Sequence, residues 1–272
     1  MSFISRELLN ENGRVSVIIC TRNRANILPQ TIPSIKKSSL VQELIIVEGI
    51  APVGLARDMG WRQAESPLIC YIDDDEVIPD RWIEAMLQAF EEKVGGVTST
   101  FGSLTRNLIG ELESTLINHS LVRQNNNVRL VRKKLLRDVR GVRHVYGAET
   151  VLLAEDIKKI GWEVKVVDYP IQHLFRQTWG SWIESQYYSG AFCAKEITKS
   201  KKLRLIRKTI FSILRGLQLA LLYKKPILLV YYPLRNWLYL IGFIFGELTN
   251  MSEKEGKEGY KQIVEGSLGG FK

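Results

Sequence analysis

The sequence predicts an α/β fold, a mostly parallel sheet flanked by helices, followed by amphipathic C-terminal helices. Three observations predict it. Short β-branched runs alternate with helical patterns over residues 15–100. Three aspartates, Asp73, Asp74 and Asp75, close the third of those runs. Residues 197–246 then hold ten Lys or Arg and no Asp or Glu, in the most apolar part of the chain.

The elements follow in order. Val15 to Cys20 (VSVIIC) is a buried strand. Leu28, Ile32 and Ile35 keep helical spacing, with Pro29 and Pro33 interrupting it. Leu44 to Val47 is a second strand, Leu55 to Ala64 a helix, and Leu68 to Ile72 (LICYI) a third strand. Pro79 and Asp80 suit a helix start, after which Trp82, Ile83, Met86, Leu87 and Phe90 share one face. Gly96 to Thr100 and Val164 to Val167 are further strands, and Gly180 to Lys195 is helical. Residues 106–146 mix helix with loop. The organisation expected is a catalytic-type domain over 1–200, an apolar and basic helical segment over 201–250, and a polar, mobile tail over 251–272.

Composition excludes some classes. Hydrophobic content of 45% is that of a folded chain. Cys20, Cys70 and Cys193 lie too far apart for a disulfide framework or zinc ribbon, which fits a reducing compartment. The opening MSFISRELLNENGRV has no apolar signal core. The net charge is +9, yet outside residues 197–246 the chain carries 28 basic against 29 acidic residues. A nucleic-acid surface would need that charge on the folded body. Concentrated in an apolar segment, it points to an anionic membrane surface, with a solvated basic helix face as the alternative.

Ile227 to Gly246 tests whether that segment spans. Eleven Ile, Leu, Val or Phe at roughly −0.3 to −0.6 kcal/mol each give about −5 kcal/mol, against about +3 for a central Arg235. Pro233 and Asn236 weaken insertion further. Interfacial or re-entrant helices fit better, with Tyr231, Tyr232, Trp237 and Tyr239 at headgroup depth. A span across 227–246 and a buried core or dimer interface stay open.

The most informative local feature is Asp73-Asp74-Asp75-Glu76. Carboxylates at the carboxyl end of a strand stand where open α/β sheets bind ligands. Adjacent like charges are costly unless a cation neutralises them. Mg²⁺ or Mn²⁺ takes such oxygens and bridges to phosphate. A solvated acidic turn capping the next helix is the alternative.

Val15 to Arg24 (VSVIICTRNR), Gly54 to Gly60 (GLARDMG) and Tyr71 to Asp80 (YIDDDEVIPD) occur in order. Together they resemble the family 2 glycosyltransferases of the GT-A fold, over roughly residues 14–195. The resemblance implies an inverting enzyme using a nucleotide-sugar, a UDP- or GDP-sugar, with Mg²⁺ or Mn²⁺. It implies that Thr21, Arg22 and Arg24 line the nucleotide pocket and that Arg57 faces the base or phosphates. Asp73 and Asp74 would contact the nucleotide-sugar, and Asp75 the metal. The family's Asp-Asp-Gly-Ser-like run is here Val47-Glu48-Gly49-Ile50-Ala51-Pro52, which leaves Glu48 as the acid that reads the base.

Inversion needs a general base at the acceptor hydroxyl. The family's second half is followed here through Asn127, Arg132 with Lys133, Gly141, Glu149, Gly161-Trp162 and His173. Thr150 stands where an Asp is expected. The resemblance gives Glu149 as base, with Asp156 as the rival, and His173 beside the metal. Trp179 and Trp182 pack near an acceptor or in a core. The acceptor expected is a lipid-linked glycan or polyprenyl phosphate at the cytoplasmic membrane face. A metal-dependent nucleotidyltransferase and a degenerate, membrane-bound scaffold remain the rival readings.

Overall fold

The computed structural model describes residues 3–21, 28–105, 107–145, 149–176, 178–194 and 199–249. The elements in order are β1 (Phe3–Leu8), β2 (Val15–Thr21), α1 (Leu28–Lys36), β3 (Val41–Glu48), α2 (Val53–Gln63), β4 (Leu68–Asp73), β5 (Glu76–Val77) and α3 (Trp82–Gln88). Then come β6 (Val94–Ser103), α4 (Leu108–Gln124), β7 (Leu130–Arg132), α5 (Lys133–Asp138), α6 (Glu149–Lys159) and β8 (Glu163–His173). Four helices close the described chain: α7 (Trp179–Cys193), α8 (Lys199–Ile210), α9 (Ser212–Tyr223) and α10 (Leu228–Thr249).

The chain divides into two compact units, residues 1–104 with 113–174, and residues 105–112 with 175–272. The first holds one eight-stranded sheet in the order β1-β3-β2-β4-β7-β6-β8-β5. β2 runs parallel to β3 and β4, and β6 parallel to β8. The pairs β1/β3, β4/β7, β6/β7 and β5/β8 are antiparallel. The expected mostly parallel sheet is therefore corrected to a mixed one. The antiparallel members are an edge strand, a three-residue strand and a two-residue strand. None is long or apolar enough to announce a direction in sequence.

β2 is buried along nearly its whole length between β3 and β4, with α2 packed against β2 and β3. Ile18, Ile45, Val47, Trp61, Ile69, Tyr71, Val131 and Leu135 share one core cluster. Pro29 falls in the first turn of α1, where its missing N–H costs nothing, and α1 tolerates Pro33 as a short helix. The stretch 106–146 resolves into α4, β7 and α5. The second unit is helical: α10 packs on α7, α8 and α9, with Trp182 stacked on Tyr231 at 4.7 Å.

Candidate functional site

Strand register assembles the site. β2, β3 and β4 are parallel, so their carboxyl ends share an edge: Thr21 pairs with Glu48, and Cys20 with Asp73. β7 lies antiparallel to both β4 and β6, so two reversals return β6 to the direction of β4. β8 follows β6, which brings its last residue, His173, to the same edge. β5 folds back onto β8 and pairs Glu76 with His173. Sheet topology thus gathers residues from 21 to 173 where ligands bind in open α/β sheets.

The four consecutive acids do four different things. Asp73 contacts the Arg57 guanidinium. Asp74 is buried and accepts the Thr21 hydroxyl at 2.7 Å, while its backbone carbonyl accepts from Thr31 at 3.4 Å. Asp75 lies 3.5 Å from His173 Nε2. Glu76 is fully buried and meets Arg129 in a two-armed pair, one arm 2.6 Å, and its Oε2 also accepts the Asp73 N–H at 2.9 Å. Arg129 stands 4.8 Å over the Phe101 ring. A buried charge is tolerated when a partner and further hydrogen bonds satisfy it. Glu76 and Arg129 therefore brace the backbone that presents Asp73 and Asp75. Sequence reading missed Arg129. Its signal was the charge imbalance, since four adjacent acids call for buried cations.

Arg57 joins the aspartate run to Glu149. One arm of its guanidinium contacts Asp73 Oδ1 and the other Glu149 Oε1. The group is 5% exposed and lies 5.5 Å over the Tyr71 ring. Burial works to raise the Asp73 pKa. Arg57, then Arg129 and His173, outweigh it and hold that carboxyl at about 2. Glu149 is the first residue of α6, where the helix dipole favours a negative charge.

The segment leading to Glu149 is pinned to α2. Asp58 accepts from Trp61 Nε1 at 2.7 Å, from Val142 N at 3.0 Å and from Arg62 Nε at 3.0 Å. Burial would raise the Asp58 pKa, but those donors lower it. Gly141 has φ +91°, and a Cβ there would strike Asp58 Oδ1. A Cβ on Gly54 would likewise strike the Arg143 carbonyl. The rival acid on α6, Asp156, is engaged by Arg143 Nε at 2.8 Å and by Lys159 at 3.1 Å.

Asp75 and His173 are the residues that fit a divalent ion. Their side chains are 15% and 22% exposed, close together, and offer one oxygen and one nitrogen. Among the described residues, no group of three or more His, Cys, Asp or Glu is placed to hold a metal. An ion held by these two donors alone would need further oxygen ligands from outside the protein, as Mg²⁺ sites commonly do.

Thr21, Glu48, Arg57, Asp73, Asp74, Asp75, Glu149 and His173 thus all belong to the sheet unit, and the register and contacts above connect them at one edge. Glu48 is half-buried at the end of β3. Arg22 and Arg24 lie outside the described residues. Trp179 and Trp182 belong to the helical unit. Trp182 is core there, and Trp179 is 45% exposed.

A mixed α/β sheet with an acid run and its partners at the carboxyl edge defines a GT-A-type fold. The family model for glycosyl transferase family 2 matches residues 53–134, from the start of α2 into α5. That bears out the resemblance carried by the motifs. The mannosyltransferase PcManGT from Pyrobaculum calidifontis, in complex with GDP-Man and Mn²⁺, shares the fold. Its TM-score is 0.58 at 15% identity, covering 88% of this chain and 88% of that one. Residues 1–349 of S. aureus TarS align at TM-score 0.47 and 15% identity, over 92% of this chain and 91% of that one. No curated protein matches the chain in sequence.

Proposed function

We propose that this chain is an inverting, metal-dependent glycosyltransferase that moves a sugar from a UDP- or GDP-sugar to a lipid-linked acceptor at the cytoplasmic membrane face. The observation that carries the reading is the Asp73–Arg57–Glu149 bridge. It ties an acid of the aspartate run to a carboxylate from a distant helix, so donor-binding and proton-accepting groups hold one geometry. The complex of PcManGT with GDP-Man and Mn²⁺ supports both the donor class and the ion.

Thr21, Glu48, Asp73 and Asp74 line the nucleotide side, the role that the sequence resemblance implies for Arg22 and Arg24 as well. Asp75 and His173 would hold Mg²⁺ or Mn²⁺, which when bound would supply positive charge against the nucleoside diphosphate leaving group. Glu149 takes the proton of the acceptor hydroxyl. The acceptor oxygen then bonds to the anomeric carbon as the bond to the diphosphate breaks on the opposite face, which inverts that carbon. Arg57 fixes the Glu149 carboxylate through Oε1 and leaves Oε2 to receive the proton.

Nucleoside diphosphate titrated calorimetrically with Mn²⁺, beside turnover read by mass spectrometry of the transferred sugar, tests this. Glu149→Gln keeps donor affinity and lowers turnover by about two to four orders of magnitude. Asp156→Asn leaves both near wild type. If the two variants exchange these behaviours, Asp156 is the base. If the intact protein shows no metal-dependent nucleotide binding, the transferase reading fails.

A further inference from the structure

Helices in water turn their large apolar side chains inward. In the second unit α9 does nearly the reverse, and α10, which buries Leu228, Tyr231, Leu240 and Phe243, is apolar on its outer side as well. α9 buries Ser212, Gly216, Leu219 and Ala220. It turns Ile213, Leu214, Leu217, Leu221 and Leu222 outward, each at least 46% exposed. On α10, Val230, Leu234, Trp237, Ile241, Ile244 and Leu248 are all exposed. They recur at alternating steps of four and three residues, which makes one apolar stripe along the whole helix.

The contacts between these helices use small residues. Gly242 and Gly246 have G-x-x-x-G spacing, and a Cβ on either would strike the α7 backbone, at Tyr187 and Ala191 respectively. Gly216 lies against the backbone carbonyl of Leu228, which a Cβ would meet at 3.0 Å. Close backbone approach at small residues, with large apolar side chains left on the outer surface, is the packing of helices whose outer surface meets lipid. In water, an apolar face of this extent marks an interaction site.

Charge decides what covers that face. Lys202 pairs with Glu247 and Lys225 with Glu111, but ten basic residues between 197 and 246 with no acid in that stretch leave a positive excess that would repel a second copy of the same segment and attract an anionic leaflet. Position decides the mode. α10 is long and apolar enough to cross a bilayer, but crossing would carry Arg235 and the buried Asn236 to mid-depth. A helix lying flat keeps both near headgroups while its stripe meets acyl chains.

We propose that α9 and α10 dock in the plane of a single leaflet of an anionic bilayer. Their apolar faces enter the acyl boundary, and the exposed basic side chains Arg204, Arg207, Lys208 and Lys224 meet headgroup phosphates. The proposal deepens the membrane-face part of the function proposed above and is tested apart from donor chemistry.

Flotation of the intact protein with phosphatidylcholine vesicles, and with mixed phosphatidylcholine–phosphatidylglycerol vesicles, tests it. Binding to the anionic vesicles is expected to be at least about tenfold the stronger. Arg207→Gln with Lys224→Gln, both exposed, reduces that preference. Val230→Ser with Trp237→Ser weakens binding to either vesicle about tenfold or more, and an unchanged circular dichroism spectrum shows the fold kept. Lys224→Cys and Thr249→Cys flank α10. In vesicle-bound protein both react from outside with an impermeant maleimide, above the background of native cysteines. Protection of one of the two would overturn in-plane docking in favour of a span. Flotation with neither vesicle, together with a dimer by sedimentation, would overturn it in favour of a self-interface. Nucleotide binding measured on the same samples separates the two readings, because donor binding without flotation refutes the docking alone.

Discussion

Asp73 is stabilised as an anion by charges that reach it from three elements. Arg57 comes from α2, Arg129 from just before β7, and His173 from the end of β8. The sign of the pH dependence follows. A carboxyl whose folded pKa lies below its unfolded value of about 3.9 contributes stability above that value. That contribution is lost as pH falls toward about 2, where folded Asp73 takes its proton. Its side chain is 38% exposed, so solvent screening reduces the contribution to about 1–2 kcal/mol. The neighbouring Glu76 works in the opposite sense, because burial holds it above the ordinary carboxylate range despite Arg129. Urea midpoints measured from pH 5 down to pH 2 check the assignment, the range being set by these carboxylate values. Asp73→Asn should flatten the wild-type decline below about pH 4. An identical decline in both proteins would assign the acid sensitivity to other groups.

At the scale of elements, the link from α2 to α6 places the proposed base. Asp58 gathers the 141–145 segment by accepting from Val142 and from His144, the latter at 3.4 Å, and Gly141 makes room for its carboxylate. Gly141→Ala adds a Cβ at positive φ and against Asp58, a cost of about 2 kcal/mol. The expected outcome is a lower denaturation midpoint with turnover reduced more than donor affinity, since β2, β3 and β4 are untouched. Loss of nucleotide binding in step with turnover would place this segment in donor recognition instead. These links also mark what the sequence could reveal. The strands ending at Thr21, Glu48 and Asp73 were legible, because β-branched runs buried on both faces have a strong pattern. β1 was not, since five of its six residues are exposed and its pattern is that of a polar loop. The direction of β7 was not legible either, with only three residues to show it. The aspartate run at the end of β4 could be seen in the local sequence, and Glu149 was reached only through the family resemblance. The Glu76–Arg129 pair could not, because its partners lie 53 residues apart and only the sheet brings them together.

The whole molecule separates two kinds of work by charge. The sheet unit carries the acid run and its partners, while the basic residues without acidic neighbours in sequence concentrate in the helical unit. On the proposed reading a lipid-linked acceptor and the docked helices share a surface, so docking would act by raising the effective concentration of acceptor and would add nothing to the chemical step. Salt gives this consequence a measurable form. The screening length falls from about 8 Å at 0.15 M to about 3 Å at 1 M, which weakens attraction to headgroups and leaves apolar burial in place. With acceptor presented in anionic vesicles, rising salt should therefore raise the apparent KM severalfold and leave kcat nearly constant. With a short-chain, water-soluble acceptor, neither constant should respond in that pattern. Val230→Ser with Trp237→Ser should raise KM for the vesicle-borne acceptor even at low salt, again with kcat preserved. A parallel fall of kcat on both acceptors would mean that salt or the substitutions reach the chemistry at Glu149 and Asp75, and the separation of roles between the two units would not hold.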